Sequence, residues 1–175
     1  MTNYRRNWQS GGTYFFTVVA ADRAAGPLVA HMDQLQASIQ AVQSKHPFDI
    51  DAMVILPDHL HAMWTLPPGD IDYATRWKKI KAIFSKGMPR NETRSSSRIA
   101  KGERGIWQRR YWEHTIRDEG GFRKHCDYIH YNPVKHGYVK LAAEWPHSTF
   151  RLYVARGVYP VDWGGGEGND GTFGE

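Results

Sequence analysis

Residues 48–66, FDIDAMVILPDHLHAMWTL, constrain the fold more than any other stretch. Two runs rich in apolar and β-branched residues, Phe48–Leu56 and His59–Leu66, meet at Pro57-Asp58. Proline presets a turn dihedral and aspartate bonds back to the local backbone, so the pattern predicts an antiparallel hairpin. So apolar a hairpin must be covered, and the neighbouring segments can cover it. Thr13–Ala20 follows the Gly11-Gly12 turn and reads as another strand. Asp33–Lys45 sets Leu35, Ile39 and Val42 on one helical stripe. Ile71–Lys86 does the same with Ala74, Trp77, Ile80 and Phe84, its lysines outward. Ile106–Ile116 reads as a strand, and Glu119–Asn132 as a third helix closed by Pro133. Gly87–Arg104 lacks periodicity and reads as a mobile loop, and Val134–Tyr159 as irregular chain with a helical turn near Ser148. Strands alternating with helices, over short strand-to-strand connections, predict an α+β fold: an antiparallel sheet with helices packed on it.

A chain of 175 residues fits one domain, expected over residues 1–161, followed by a flexible tail at 162–175 that is glycine-rich and acidic. The single cysteine, Cys126, excludes an internal disulfide and suits a reducing compartment. No apolar run approaches the roughly 20 residues of a membrane span. Arg5 and Arg6 are followed by no apolar signal region, so a cytoplasmic protein is expected. The formal net charge is +5, unevenly spread. Residues 76–117 hold thirteen Lys and Arg against three Glu, interleaved with Trp77, Trp107, Tyr111 and Trp112. The tail holds Asp162, Glu167, Asp170 and Glu175 and no base, and could compete for a cationic surface. A basic block threaded with aromatic rings points to nucleic acid rather than a membrane. Arg5, Arg6, Arg76, Lys78, Lys79, Lys81, Arg109, Arg110 and Lys135 are the expected contacts.

His59-Leu60-His61 lies inside the second hairpin strand. Residues i and i+2 of a strand share a face with Cα atoms about 6.6 Å apart, so two imidazoles there can converge on one cation. They can equally be ordinary core or surface histidines. A metal would need a third ligand from elsewhere. On the third helix Phe122, Cys126 and Ile129 make the buried stripe, with Tyr128 and Asn132 neighbours on its flank. An amide one turn from a phenol could bind a metal beside a reacting phenol. Read from spacing alone, Asn132 is as well explained as a helix cap before Pro133, and Tyr128 as a half-buried packing residue. His114 reads as a packed polar residue.

These residues carry a resemblance. Asn3-Tyr4-Arg5-Arg6, Gly11–Thr17, Leu56–His61, Trp64–Pro67, Trp107-Gln108, Trp112-Glu113-His114 and Asp127–Gly137 resemble the REP-associated tyrosine transposases, relatives of single-strand insertion-sequence transposases of the His-hydrophobic-His class. The likeness runs from Asn3 to about Trp163, and Pro-x-His-x-His with Asp-Tyr-Ile-x-x-Asn-Pro-Val-Lys is very specific. It implies a ferredoxin-like antiparallel sheet of the HUH endonuclease type. It also implies a Mg²⁺ or Mn²⁺ ion on His59, His61 and Asn132, and Tyr128 as nucleophile. The implied substrate is single-stranded DNA carrying hairpins of repetitive extragenic palindromes, cleaved and rejoined through a 5′-phosphotyrosine by a nucleoid-associated enzyme. A monomer is the favoured assembly. His130, His136 and His114 are possible accessory groups, since a free tyrosine titrates near 10 and needs activation. Two readings stay open beside it: a DNA-binding protein of the same fold with little cleavage, and a metal-dependent hydrolase using water.

Overall fold

The computed structural model describes residues 8–90 and 92–165. Its strands are β1 (Thr13–Val19), β2 (Asp49–Ile55), β3 (His59–Thr65) and β4 (Trp112–Ile116). Its helices are α1 (Pro27–Ala30), α2 (Met32–Gln43), α3 (Tyr73–Gly87), α4 (Ser96–Ala100), α5 (Glu119–Lys135) and α6 (Phe150–Ala155). The strands form one sheet in the order β2-β3-β1-β4, each neighbour antiparallel. This is the ferredoxin-like arrangement, with β1 and β3 central and β2 and β4 at the edges.

Alternation along the strands sorts the core into two layers. Tyr14, Phe16, Val18, Leu60, Ala62 and Trp64 pack against α2 and α3 through Leu35, Ile39, Trp77, Ile80 and Phe84. Trp64 stacks on Trp77 with centroids 4.1 Å apart. Phe15, Val54, Met63 and Ile116 pack on the opposite face against Cys126 and Ile129 of α5. The two histidines of β3 belong to this second face.

Several elements depart from the sequence reading. The strand expected from Ile106 begins only at Trp112; the stretch before it joins β1 through an Ala20–Trp107 bridge and a Gln108 N–H to Val19 carbonyl bond. Gly87–Arg104 contains α4 and is fastened by Arg104, which pairs with Glu92 and donates to the carbonyls of Ser85, Met88 and Pro89. Val134–Tyr159 includes a 3₁₀ turn, Ala142–Glu144, and α6. Trp163, past the expected domain boundary, stacks on Phe150 and packs at a tilt against Tyr159. Arg5, Arg6 and the rest of the tail beyond Gly165 lie outside the described residues.

The most consequential departure is α5, which runs through Pro133 instead of ending before it. A proline there removes one backbone bond and crowds the carbonyl four residues back, yet the helix continues through it for another two residues. The true stop is Gly137, at φ 72°, a conformation that favours glycine. Gly137 N–H bonds the Val134 carbonyl and Tyr138 N–H the Pro133 carbonyl, the paired bonds of a Schellman cap. The extra turn carries Lys135 and His136 onto the sheet.

Candidate active site

The hairpin between β2 and β3 closes with Leu56 N–H donating to the His59 carbonyl, which sets His59 and His61 on the α5 face. Leu60 and Ala62 point the other way and are fully buried. Each histidine is held through Nδ1. His59 Nδ1 lies 2.7 Å from Asp58 Oδ1, and His61 Nδ1 lies 2.9 Å from Thr17 Oγ1. Both Nε2 atoms are thereby left for a ligand, the usual second-sphere arrangement of metal-binding histidine. Arg23 bonds the other oxygen of Asp58 at 2.5 Å. Burial alone would raise the Asp58 carboxyl, but Arg23 and His59 outweigh it and hold it below the ordinary range. His61 is driven down to about 3, by burial first and then by His59, His136 and Lys135, so its ring is neutral at physiological pH.

Helix α5 crosses this pair lengthwise. Tyr128 meets His61 at 5.1 Å between ring centroids, and His136, two turns on, meets His59 at 5.4 Å. Asn132 lies midway on the same stripe, with no exposed surface. Neither Asn132 side-chain atom has a hydrogen-bond partner, and neither has His61 Nε2. An unpaired buried amide costs about 1–3 kcal/mol, so these atoms fit the donor set of a cation or polar ligand. Among the described residues no three His, Cys, Asp or Glu side chains form a metal-binding group, so a third donor beside the two histidines would have to be an amide such as Asn132. Lys135 Nζ stands 5.0 Å from the centre of the Tyr128 ring.

The structure therefore gathers His59, His61, Tyr128, Asn132, Lys135 and His136. Spacing alone reads Asn132 as a cap; it is instead inside the helix, because α5 outlasts Pro133. His130 does not join the cluster. It is buried behind α5 with Nε2 2.9 Å from Thr149 Oγ1, among Phe150, Tyr153 and Tyr159. Burial lowers it to about 3, which marks a packed neutral ring rather than an accessory acid or base. His114 is exposed rather than packed, with its ring stacked between Trp112 and His125.

The basic block divides on folding. Arg76 is only 3% exposed and cannot reach DNA: its guanidinium ties the Asp70 carboxylate and the carbonyls of His46, Pro47 and Asp72. Position 76 shares a stripe with Tyr73, Trp77 and Ile80, a signal the charge pattern hides. Lys78, Lys79 and Arg110 are exposed; Arg109 binds Glu103 and Ser97. Lys81 donates to the Gln108 carbonyl and faces the rings of Trp107 and Tyr111. Burial, helped by Arg98, lowers its ammonium to about 8. Lys78, Lys81, Arg98, Trp107 and Tyr111 line a groove of about 820 Å³ between α3 and the segment that leads to β4. Asp58, Thr17 and Arg23 carried no sequence signal as supports. Their roles come from the turn and from the β1–β3 register, in which Thr17 faces His61.

The family model for transposases of the IS200-like type matches residues 12–132. The chain is 46% identical over 165 residues to a REP-associated tyrosine transposase of Escherichia coli, spanning 94% of this chain and 92% of that one. It is also similar to a solved REP-associated tyrosine transposase bound to a REP hairpin, with 44% identity and a TM-score of 0.82. That match covers 100% of this chain and 98% of the other.

Proposed function

The chain belongs to the IS200-like transposases and, among them, to the REP-associated tyrosine transposases, and on that premise we propose that it cuts and rejoins single-stranded DNA beside a palindromic hairpin, using Tyr128 as nucleophile. The observation that carries this reading is the alignment of Tyr128, Asn132 and His136 along one stripe of α5, facing His61 and His59.

Tyr128 is half-buried and reaches the His61 end of the cluster, where the scissile phosphate docks. Its phenolic oxygen attacks phosphorus in line. The new O–P bond forms as the bond to the 3′-oxygen breaks; the phenolic proton passes to solvent, and solvent returns a proton to the leaving 3′-oxygen. The products are a 5′-phosphotyrosine and a free 3′-hydroxyl. No phosphodiester energy is lost, so a 3′-hydroxyl can reverse the step and rejoin a strand without ATP. Lys135 holds its ammonium over the Tyr128 ring, 5.0 Å from its centre, close enough to serve a phosphate brought to the phenol. The unpaired atoms of His61 and Asn132, with His59 braced by Asp58, fit a divalent ion of the Mg²⁺ or Mn²⁺ kind. Such an ion would supply Lewis-acid polarisation of the phosphate.

The hairpin substrate comes to this chain from its solved relative. The groove beside α3 supports it, since Lys78, Lys81 and Arg98 offer cations and Trp107 and Tyr111 offer ring faces. The water-hydrolase reading is disfavoured by a ligand set of two histidines and an amide, with Tyr128 against it.

The deciding experiment is a denaturing gel with end-labelled hairpin DNA and Mn²⁺. The wild-type chain should give a covalent protein–DNA band, and Tyr128→Phe none, with hairpin affinity changed less than about twofold. An adduct in the Phe variant would move the nucleophile elsewhere. Cleavage without any adduct in the wild type would favour water.

A further inference from the structure

Strand β4 is an edge of the sheet, and the face it turns toward α5 carries rings that the chemistry at Tyr128 does not use. Trp112 pairs with Thr17 across β1, and Thr17 pairs with His61 across β3. Trp112, Thr17 and His61 therefore form one row on one face, spanning two strand spacings, or about 10 Å. In the next row His114 faces Phe15. The Trp112 and His114 rings are parallel within 6° at 5.7 Å, and His114 and His125 within 15° at 5.2 Å. Trp112 nevertheless keeps 48% of its surface exposed, and His114 is exposed too. Phe15 joins the ladder to the active site, touching Trp112 at 5.6 Å, His125 at 4.9 Å, His61 at 5.5 Å and Tyr128 at 5.9 Å.

We propose that Trp112, His114 and His125 form a stacking platform for an unpaired base of the strand whose phosphate reaches Tyr128. The proposal rests on the reading of Tyr128 as nucleophile. Bases inside a duplex already cover one another, so only an unpaired nucleotide has a face to offer a ring. A solvent-exposed tryptophan continued by two parallel imidazoles presents such a face in the row of His61. Arg110 and Arg117, exposed at either end of β4, supply cations for the phosphates on each side of the base. The platform holds the single-stranded flank in register, so that one particular phosphate, and not its neighbour, meets the phenol. Hairpin recognition in the α3 groove and flank positioning on β4 are then separate functions on opposite sides of the sheet.

The test uses Tyr128→Phe protein throughout, so that no cleavage intervenes, and two DNAs: the hairpin alone and the hairpin with its single-stranded flank. A 2-aminopurine in the flank should be quenched on binding. Trp112→Leu keeps an apolar cover on Phe15 but has no ring. It should weaken the flanked DNA roughly 5- to 150-fold, relieve the quenching and leave the bare hairpin unchanged. Trp112→Phe should restore most of the loss, and His114→Ala should reproduce part of it. A flank that adds no affinity to the parent overturns the platform. So does Trp112→Leu weakening both DNAs equally, or neither. If Trp112→Leu fails to fold, His114→Ala decides alone, and unchanged flank quenching and flank affinity in that variant overturn the platform. Adduct formation by the protein with native Tyr128 is scored separately, so loss of the nucleophile reading would not be mistaken for loss of the platform.

Discussion

The two faces of the central strands are built from alternate residues of the same few segments, yet they are different materials. On the α2–α3 side, Leu60, Ala62, Trp64, Phe16 and Val18 interlock with apolar helix side chains, and buried polar groups such as Arg76 and Glu113 come from α3 and β4 and are tied into bonds of their own. On the α5 side the apolar core stops halfway along β3, and His61 and His59 take the positions beyond Met63. Both faces contain buried polar atoms without partners, but of different kinds. On the packed side they include the indole N–H groups of Trp64 and Trp77, donors within a ring stack. On the α5 side His61 Nε2 and the Asn132 amide lie along one line of side chains. One residue of register separates stability from chemistry, and the pleat keeps them apart.

That contrast can be tested by exchanging losses across it. Leu60→Ala removes a fully buried side chain from the packed face and should cost about 2–5 kcal/mol of stability. The cleavage rate per folded molecule should stay close to wild type. His61→Ala, one position on, should do the reverse. It should lower adduct formation at least about a hundredfold, with a smaller loss of stability than Leu60→Ala, because the ring makes one protein hydrogen bond, to Thr17, and its Nε2 has no protein partner. Denaturant melts and single-turnover adduct assays on both variants measure the exchange. A catalytic collapse in Leu60→Ala at temperatures where it is folded would show that the faces are coupled.

A smaller effect is expected one step out. Asp58→Asn keeps the turn and the shape but weakens the charge-assisted bond that fixes His59 Nδ1. Adduct formation should fall about 10- to 100-fold, the usual cost of losing a ligand's outer partner, while hairpin affinity holds. Raising the Mn²⁺ concentration should recover part of the loss. An unchanged metal requirement would reduce Asp58 to a partner of Arg23.

The packed face was the more legible of the two. Alternation in β1 and β3 and the stripes of α2 and α3 are local patterns, and the structure reproduces them within a few residues. The chemistry-bearing residue types were legible too, but their convergence depended on nonlocal facts. Whether Asn132 caps α5 or sits inside it depends on Gly137, five residues on, rather than on Pro133 beside it. Arg76 belongs by composition to the basic block, yet the carbonyls of His46 and Pro47 on the α2–β2 connection claim its guanidinium. A charge count cannot see a carbonyl thirty residues away. The Trp112–His114–His125 ladder has the same character, since His125 arrives from another element.

The smallest predicted effect concerns the packed side's outer rim, where Lys81 stands between charge and burial. Its ammonium, lowered to about 8, is mostly protonated at pH 7 and mostly neutral at pH 9. If it contacts a hairpin phosphate, raising the pH across that window removes one cation from the groove. The slope of log K against log salt should then become shallower by roughly 0.9, with a few-fold weaker binding. Lys81→Arg remains charged throughout, so its slope should not move between the two pH values. The chemistry on the other face serves as the internal control, because Tyr128→Phe protein can be used for all of these titrations without altering the groove. An identical pH response in wild type and Lys81→Arg would detach Lys81 from the phosphate contacts and leave the exposed Lys78 and Lys79 as the cations that read the backbone. A response confined to the wild type would join hairpin affinity to a lysine whose protonation is set by the core of the packed face.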